Sequence, residues 1–72
     1  MLRLYIHGLY ETLEINKNET IRDLKLKIED NFGIDPDFQK LTYYSSILED
    51  DKKLEDYEIP TGSLIAFEFY RR

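Results

Sequence analysis

Apolar and polar residues alternate near the N-terminus of the chain, which is the pattern of half-buried β-strands. Leucine or isoleucine stands at every second position over residues 2–6 and again over residues 13–15. The short segment between these two runs contains Gly8. The pattern therefore predicts a β-hairpin whose turn lies within residues 7–10.

The following segment has the period of an amphipathic helix, and we predict one helix over about residues 21–32. Its apolar residues lie within about 80° of one another on a helical wheel and form a stripe that we expect to be buried: Ile21, Leu24, Ile28 and Phe32. Thr20 is a suitable N-cap, with Asp23 three positions later. Gly33 suits the left-handed position after the helix, and Pro36 prevents the helix from resuming.

Alternation returns in the second half of the chain. Residues 41–45 predict a third strand, and the two apolar residues at 47–48 predict a short fourth one. The apolar positions over residues 54–59 are spaced too irregularly for a strand, so we expect a short helical turn and a loop. The alternation over residues 64–70 predicts the last strand.

These elements follow the order β-β-α-β-(short β)-β and predict a single α+β domain over residues 1–72. The helix stripe and the inward strand residues must share one core, so we expect the helix to pack across one face of a mixed sheet of four to five strands. The first and last strands should pair in parallel, because a helix separates the two β-rich halves. The other face of the sheet is expected to contact solvent.

Composition narrows the chemistry that this chain can perform. Its 72 residues contain no cysteine and one histidine, His7, which excludes thiolate metal sites and thiol nucleophiles. We therefore expect no catalytic residue, no metal and no cofactor. The formal net charge of −5 argues against nucleic acid as a partner, and no apolar run approaches the ~20 residues of a membrane span. We expect a monomer that binds proteins in the cytoplasm, the nucleus or both.

Three sharper motifs have an ordinary explanation that we favour. Strand alternation points His7 towards solvent, so we interpret it as a surface histidine rather than a base, a metal ligand or a pH switch. The acidic segment at residues 49–51 lacks the spacing and the glycine of a calcium loop and is interpreted as a turn. Leu26 lies off the helix stripe, either as a lone exposed leucine, which we favour, or as a second contact.

The helix and the segments after it resemble the ubiquitin family. The residues that have the family's spacing are Thr20-Ile21, Lys25, Ile28, Gly33-Ile34-x-Pro36, Gln39-x-Leu41, Leu48-Glu49-Asp50, Leu54-x-Asp56-Tyr57-x-Ile59 and Ser63. The resemblance covers nearly the whole chain and implies the ubiquitin-like β-grasp fold. It also implies that the Tyr57 hydroxyl bonds to backbone in the loop at residues 49–51. Lys25 matches the family's least exposed lysine, so we expect it to pair with an acid near Asp50.

The chain departs from that family at its C-terminal residues. The family's covalent modifiers end in a flexible tail with two glycines, whereas this sequence ends with Arg71 and Arg72 where the tail would begin. We expect that the sequence as given is not a competent modifier. The two lysines that the family uses most for chain building are replaced by Ser46 and Thr61.

The resemblance also implies a partner-binding patch on the solvent side of the sheet, and this patch is altered. Thr42 and Glu68 stand where the family has apolar residues, and Ala66 stands where it has a histidine. Because an unpaired carboxylate is costly to desolvate, ordinary ubiquitin receptors should bind this face weakly. The partner-binding residues that we predict are Leu9, Lys40, Thr42, Tyr44, Ala66, Glu68 and Tyr70.

Outward tyrosines offer a replacement for the lost patch, because tyrosine buries a large area at a low entropic cost. Tyr5, His7 and Leu64 are further outward positions beside the predicted partner residues. The alternative is that a small domain always exposes some aromatic side chains, which singly have no meaning. We favour a shifted site centred on tyrosine.

The sequence thus favours a non-catalytic ubiquitin-like domain that docks reversibly on ubiquitin-receptor or proteasome-type proteins. The alternative is a covalent modifier whose Gly-Gly tail is absent from this sequence. Independent catalysis is less favoured, because it needs a pocket with a nucleophile or a perturbed acid, and we expect none in 72 residues with one exposed histidine. An engineered origin is also less favoured, because no valine and one alanine do not match propensity-driven design.

Overall fold

The computed structural model describes residues 1–70, so the predicted start of the tail at Arg71 and Arg72 lies outside the described residues. The elements of the described chain are the strands β1 (Leu2–His7), β2 (Glu11–Ile15), β3 (Gln39–Tyr43), β4 (Ser46–Ile47) and β5 (Leu64–Phe69), the helix α1 (Ile21–Phe32), and two short 3-10 helices at Pro36–Phe38 and Leu54–Tyr57. Their order confirms the predicted α+β arrangement.

The five strands form one mixed sheet in the order β2-β1-β5-β3-β4. β1 pairs antiparallel with β2 in the N-terminal hairpin and parallel with β5, which confirms the predicted pairing of the first and last strands. β3 pairs antiparallel with β5 on one side and with the two-residue strand β4 on the other. The two halves of the chain therefore meet at β1 and β5 in the middle of the sheet.

The helix begins and ends at the predicted residues. The backbone N–H of Asp23 donates to the Thr20 hydroxyl over 3.1 Å, and the backbone N–H of Thr20 donates to the Asp23 carboxylate over 3.0 Å. This reciprocal capping box satisfies two backbone donors that the first helical turn leaves without an intrahelical partner. At the other end Gly33 adopts φ 72°, and its N–H donates to the Glu29 carbonyl over 2.7 Å.

The core lies between α1 and one face of the sheet. Its buried apolar side chains come from both layers and from the segments that connect them: Leu4, Ile6, Leu13, Ile15, Ile21, Leu24, Ile28, Leu41, Leu48, Leu54, Ile59 and Ile65. The prediction for Phe32 was wrong, because this side chain is 38% exposed. Phe32 is the last residue of α1, and the buried residues of the helix end one turn earlier, at Ile28.

The segment after the helix also differs from the prediction. β3 begins two residues earlier than expected, because Gln39 and Lys40 already pair with β5. The Gln39 side chain is fully buried, and its amide donates to the carbonyls of Lys25 and Ile34, each over 2.9 Å. The strand ends at Tyr43, where the prediction extended it to residue 45. Pro36 does stop the helix, but it also begins a short 3-10 helix that the sequence pattern did not indicate.

Polar contacts hold the loop at residues 49–51 to α1 and to Tyr57, and they also join α1 to Asp37. The Lys25 ammonium, which is almost fully buried, lies 2.6 Å from the Asp50 carboxylate, as the family resemblance implied. The Tyr57 hydroxyl accepts a hydrogen bond of 2.8 Å from the backbone N–H of Glu49, as also implied. Arg22 donates to Asp37, and this hydrogen bond raises the pKa of the Arg22 guanidinium.

The capping box gives a direct test of how α1 is fixed. The variant Thr20→Ala removes the hydroxyl acceptor and should lower the free energy of unfolding by about 1 kcal/mol. Urea denaturation followed by circular dichroism measures this change. Thr20→Ser keeps the hydroxyl and should retain most of the stability. Equal losses of stability in both variants would show that the Thr20 hydroxyl contributes nothing to it.

Candidate functional site

The face of the sheet opposite α1 is not covered by any element of residues 1–70. We call it the solvent face, and its outward residues follow from the strand alternation: Arg3, Tyr5, His7, Thr12, Glu14, Lys40, Thr42, Ile47, Leu64, Ala66 and Glu68. Several of its apolar side chains are substantially exposed, with Tyr5 at 47%, Ile47 at 55% and Leu64 at 59%.

Strand register places these side chains in two adjacent rows. Tyr5 on β1 is the register partner of Leu64 on β5. In the next row His7 is opposite Ala66, Ala66 is opposite Thr42, and Thr42 is opposite Ile47. That second row crosses four strands and carries no side chain larger than isoleucine or imidazole. Its side chains are therefore shorter than the tyrosine in the first row, and we call this row the low region of the solvent face.

A groove opens at one end of this low region because β3 and β5 separate. The two strands are paired from Gln39 opposite Phe69 to Thr42 opposite Ala66, and beyond that point the chain turns from β3 into β4. The resulting groove has a volume of ≈ 560 Å³. It is lined by His7, Thr42 and Ala66 of the second row and by residues from the segments 43–45 and 60–64.

The first wall of the groove is the turn between β3 and β4. Its central residues, Tyr44 and Ser45, have φ values of 49° and 70°, which is the combination found in type I′ hairpin turns. Neither residue is glycine, so the turn holds side chains in a conformation that L-residues seldom adopt. The Tyr44 ring packs edge-on against the Tyr43 ring, with 4.6 Å between ring centroids, and remains 86% exposed.

The second wall is the segment at residues 60–64, which is tied to β1 by backbone hydrogen bonds. The N–H of Gly62 donates to the Arg3 carbonyl over 2.7 Å, and the N–H of Tyr5 donates to the Ser63 carbonyl over 2.9 Å. The N–H of Arg3 donates to the Thr61 hydroxyl over 3.0 Å. The wall is therefore fixed to a central strand of the sheet.

The charges on the solvent face occur in opposite-sign pairs. Lys40 lies 3.6 Å from the Glu68 carboxylate, and Arg3 lies 3.3 Å from the Glu14 carboxylate. The penalty expected for Glu68 applies to an unpaired carboxylate, and the structure gives this carboxylate an exposed partner, Lys40. No Asp, Glu, Lys or Arg is among the described residues that line the groove.

The structure brings together three of the predicted partner-binding residues. Thr42, Tyr44 and Ala66 all line the groove. Lys40 and Glu68 pair with each other one register step further along β3 and β5, outside the groove. Lys40, Thr42, Ala66 and Glu68 occupy one continuous part of the solvent face, and Tyr44 lies in the turn beside it.

The other two predicted residues lie apart. Leu9 is partly buried and packs against the core, so only part of its side chain is available to a partner. Tyr70 follows β5, is exposed, and donates its backbone N–H to the Phe38 carbonyl over 2.7 Å. Tyr43, Ser45 and residues 60–63 also line the groove and were not predicted as partner-binding residues, whereas Leu64 was predicted to point outward. The Pro60 and Gly62 pair was the signal available for that segment, because both residues mark turns.

Two further observations bear on the chemistry of the chain. Over residues 1–70, no three His, Asp or Glu side chains converge in a way that could hold a metal ion. In the same part of the chain, no helix has both the length and the apolar character needed to cross a membrane.

Comparison with known proteins gives a consistent result. The model of the ubiquitin family matches residues 7–68. The chain is 34% identical over 53 residues to Ubiquitin-like protein 1 of Schizosaccharomyces pombe, a match that covers 74% of this chain and 68% of that protein. It is 33% identical over 48 residues to Large proline-rich protein bag6 of Xenopus tropicalis, a match that covers 67% of this chain and 4% of that much longer protein.

Proposed function

The chain belongs to the ubiquitin family, and from this we propose that it is a non-catalytic domain that docks reversibly on proteins of the ubiquitin–proteasome system. Its mechanism is surface burial without any bond made or broken. We further propose that it acts as a monomer in the cytoplasm or nucleus.

The observation that carries this proposal is the arrangement of the solvent face. Tyr44 and Leu64 are exposed in the lining of a groove whose two walls are fixed by a turn and by hydrogen bonds to β1, and Tyr5 is exposed beside Leu64. Exposed aromatic and aliphatic side chains beside a preformed depression are typical of binding hot spots, where a few residues supply most of the affinity. A rigid surface also loses little conformational freedom when a partner binds.

The altered patch indicates which partners are disfavoured. Ubiquitin-receptor helices bury apolar residues of this family, whereas this chain has Thr42 and Glu68 at two of those positions, and Glu68 pairs with Lys40. Docking an apolar helix there would desolvate both charges, and the attraction between exposed partners offsets little of that penalty. We therefore propose that the groove and its tyrosines, rather than the family's usual patch, form the centre of the docking site.

The two relatives differ in what they support. The match to Large proline-rich protein bag6 spans 4% of that protein, which is the arrangement expected of a docking domain inside a longer chain. The match to Ubiquitin-like protein 1 covers 68% of a short protein, and this observation favours the alternative of a covalent modifier. Expression of the natural gene with an N-terminal tag distinguishes the docking domain from the covalent modifier. Conjugates of higher mass that survive denaturation in detergent would support the modifier.

The docking site is tested by removing its exposed side chains. The double variant Tyr44→Ala and Leu64→Ala should bind purified 26S proteasomes at least about tenfold more weakly than the unaltered chain, because truncating a hot-spot residue costs about 2 kcal/mol or more. Surface plasmon resonance measures the affinity. The control Leu26→Ala removes an exposed leucine from α1 and should bind like the unaltered chain. Equal binding by all three proteins would contradict the proposal.

The weak binding of receptor helices gives a second prediction. The variant Glu68→Val removes the carboxylate from the usual patch, and the flexible stem of Lys40 lets its ammonium stay in water. Binding of a ubiquitin-receptor helix should therefore strengthen by about 1–3 kcal/mol. An NMR titration measures the affinity and shows whether the shifts centre on Thr42 and Ala66. Asp30→Ala removes a carboxylate from α1 and serves as the control. Micromolar binding by the unaltered chain, or no gain from Glu68→Val, would show that Glu68 does not disfavour these helices.

A further inference from the structure

The groove has no permanent charge in its described lining. None of the described lining residues is Asp, Glu, Lys or Arg, although 35% of the chain is charged. One register step further along β3 and β5, Lys40 and Glu68 already pair with each other over 3.6 Å. A charged partner segment would gain little by separating them, because one exposed ion pair would only replace another. An uncharged segment with an apolar anchor side chain therefore suits the groove better.

Among the described lining residues, His7 alone belongs to a residue type whose charge changes near neutral pH. It is the single histidine of the chain, and it lines the groove beside Thr42 and Ala66. The tyrosines of the lining belong to a type that titrates near pH 10. Strand alternation led us to interpret His7 as an ordinary surface histidine. The structure adds that the surface on which it lies is the groove.

The charged groups around His7 already have partners of their own. On the side of β5 and β3 they are Glu68 and Lys40, which pair with each other. On the side of β2 the carboxylate is that of Glu11, the register partner of the neighbouring Ile6, and it accepts a hydrogen bond of 3.1 Å from the backbone N–H of Thr12. The segment at residues 60–64 carries no charged side chain. A proton on His7 therefore places a positive charge in a groove that otherwise has none.

We infer that the groove takes an uncharged segment of a partner protein with an apolar anchor, and that it releases this segment when His7 becomes protonated. This inference rests on the proposed function, because it names the partner chemistry and the pH response of the same site. An apolar side chain can cover a neutral imidazole at low cost, whereas an imidazolium would lose its water without gaining a partner. Protonation and docking therefore compete.

The size of the effect follows from the fraction of molecules in which the imidazole is neutral. Imidazole in model peptides titrates near pH 6.5, so about 90% of such side chains are neutral at pH 7.5 and about 10% at pH 5.5. A partner that binds only the neutral form loses affinity in proportion to this fraction. The dissociation constant should accordingly rise at least about fivefold between these two pH values.

The test uses a short peptide with blocked ends that contains two leucines as anchors and otherwise only serine and glutamine, so that it has no titratable group. Leucine is chosen because an aromatic anchor would attract imidazolium to the face of its ring. The full 72-residue chain, labelled for NMR, is titrated with the peptide at about pH 7.5 and at about pH 5.5. The shifts should centre on Thr42, Tyr44, Leu64 and Ala66. Added sodium chloride should leave the affinity unchanged, because docking forms no ion pair that salt could screen.

The variant His7→Gln separates the imidazole from other effects of acid. Glutamine is polar but does not titrate, so the dissociation constants of this variant at the two pH values should agree within about twofold, whatever its absolute affinity. Partial unfolding at the lower pH, or protonation of carboxylates, would weaken both proteins alike. The variant His7→Lys carries a charge at both pH values and should bind the peptide weakly at both.

Four results would overturn the inference: equal binding of the unaltered chain at the two pH values, tighter binding at the lower one, a fall in affinity that His7→Gln retains, and no binding of the peptide at the groove. Concentration-dependent shifts at the groove without peptide would also overturn it, because they would assign the groove to a second copy of the chain.

The outcome is independent of the proteasome experiment. A chain that binds proteasomes through Tyr44 and Leu64 but binds the peptide equally at both pH values keeps its proposed function and loses the pH response. A chain that shows the pH response with the peptide but does not bind proteasomes keeps the inference and loses the proposed class of partner.

Discussion

The burial of one helix stripe against one face of the sheet is the constraint on which the rest of the structure depends. Ile21, Leu24 and Ile28 are fully buried, and each contributes roughly 1.5–3 kcal/mol when it leaves water. A chain of this length buries only about 60% of the surface of its unfolded state, so it has little other core to draw on. Since α1 occupies one face, the opposite face remains uncovered over residues 1–70 and is available for docking.

The shortness of strand β4 explains where the groove forms. Strands β3 and β5 pair until Thr42 and Ala66, and the short strand β4 then requires an immediate turn. That turn uses Tyr44 and Ser45 in left-handed conformations, which place a large aromatic ring at the rim instead of a glycine. Residues held in sparsely populated backbone conformations persist when the surrounding structure determines them, and they occur often at functional sites. The strained turn thus holds the exposed Tyr44 side chain at the rim of the groove.

Most of the fold follows from local patterns, whereas the site does not. The strand alternation and the cap at Thr20 predict the element order because burial imposes those periods on any half-exposed strand or helix. Periodicity assigns Lys25 to a polar face, and only the family resemblance indicates its burial beside Asp50. The groove could not be predicted, since it arises from the separation of two strands distant in sequence. Neither Tyr44 nor Ser45 is a glycine, so the sequence does not indicate their positive φ values.

The central proposal is that partners bind the side of the sheet opposite α1. Hydrogen–deuterium exchange of the domain, with and without purified 26S proteasomes, tests this claim most directly. The account predicts added protection of backbone amides in residues 43–46 and 60–66 and unchanged exchange throughout Ile21–Phe32. Added protection confined to the helix, or no added protection anywhere, would contradict it.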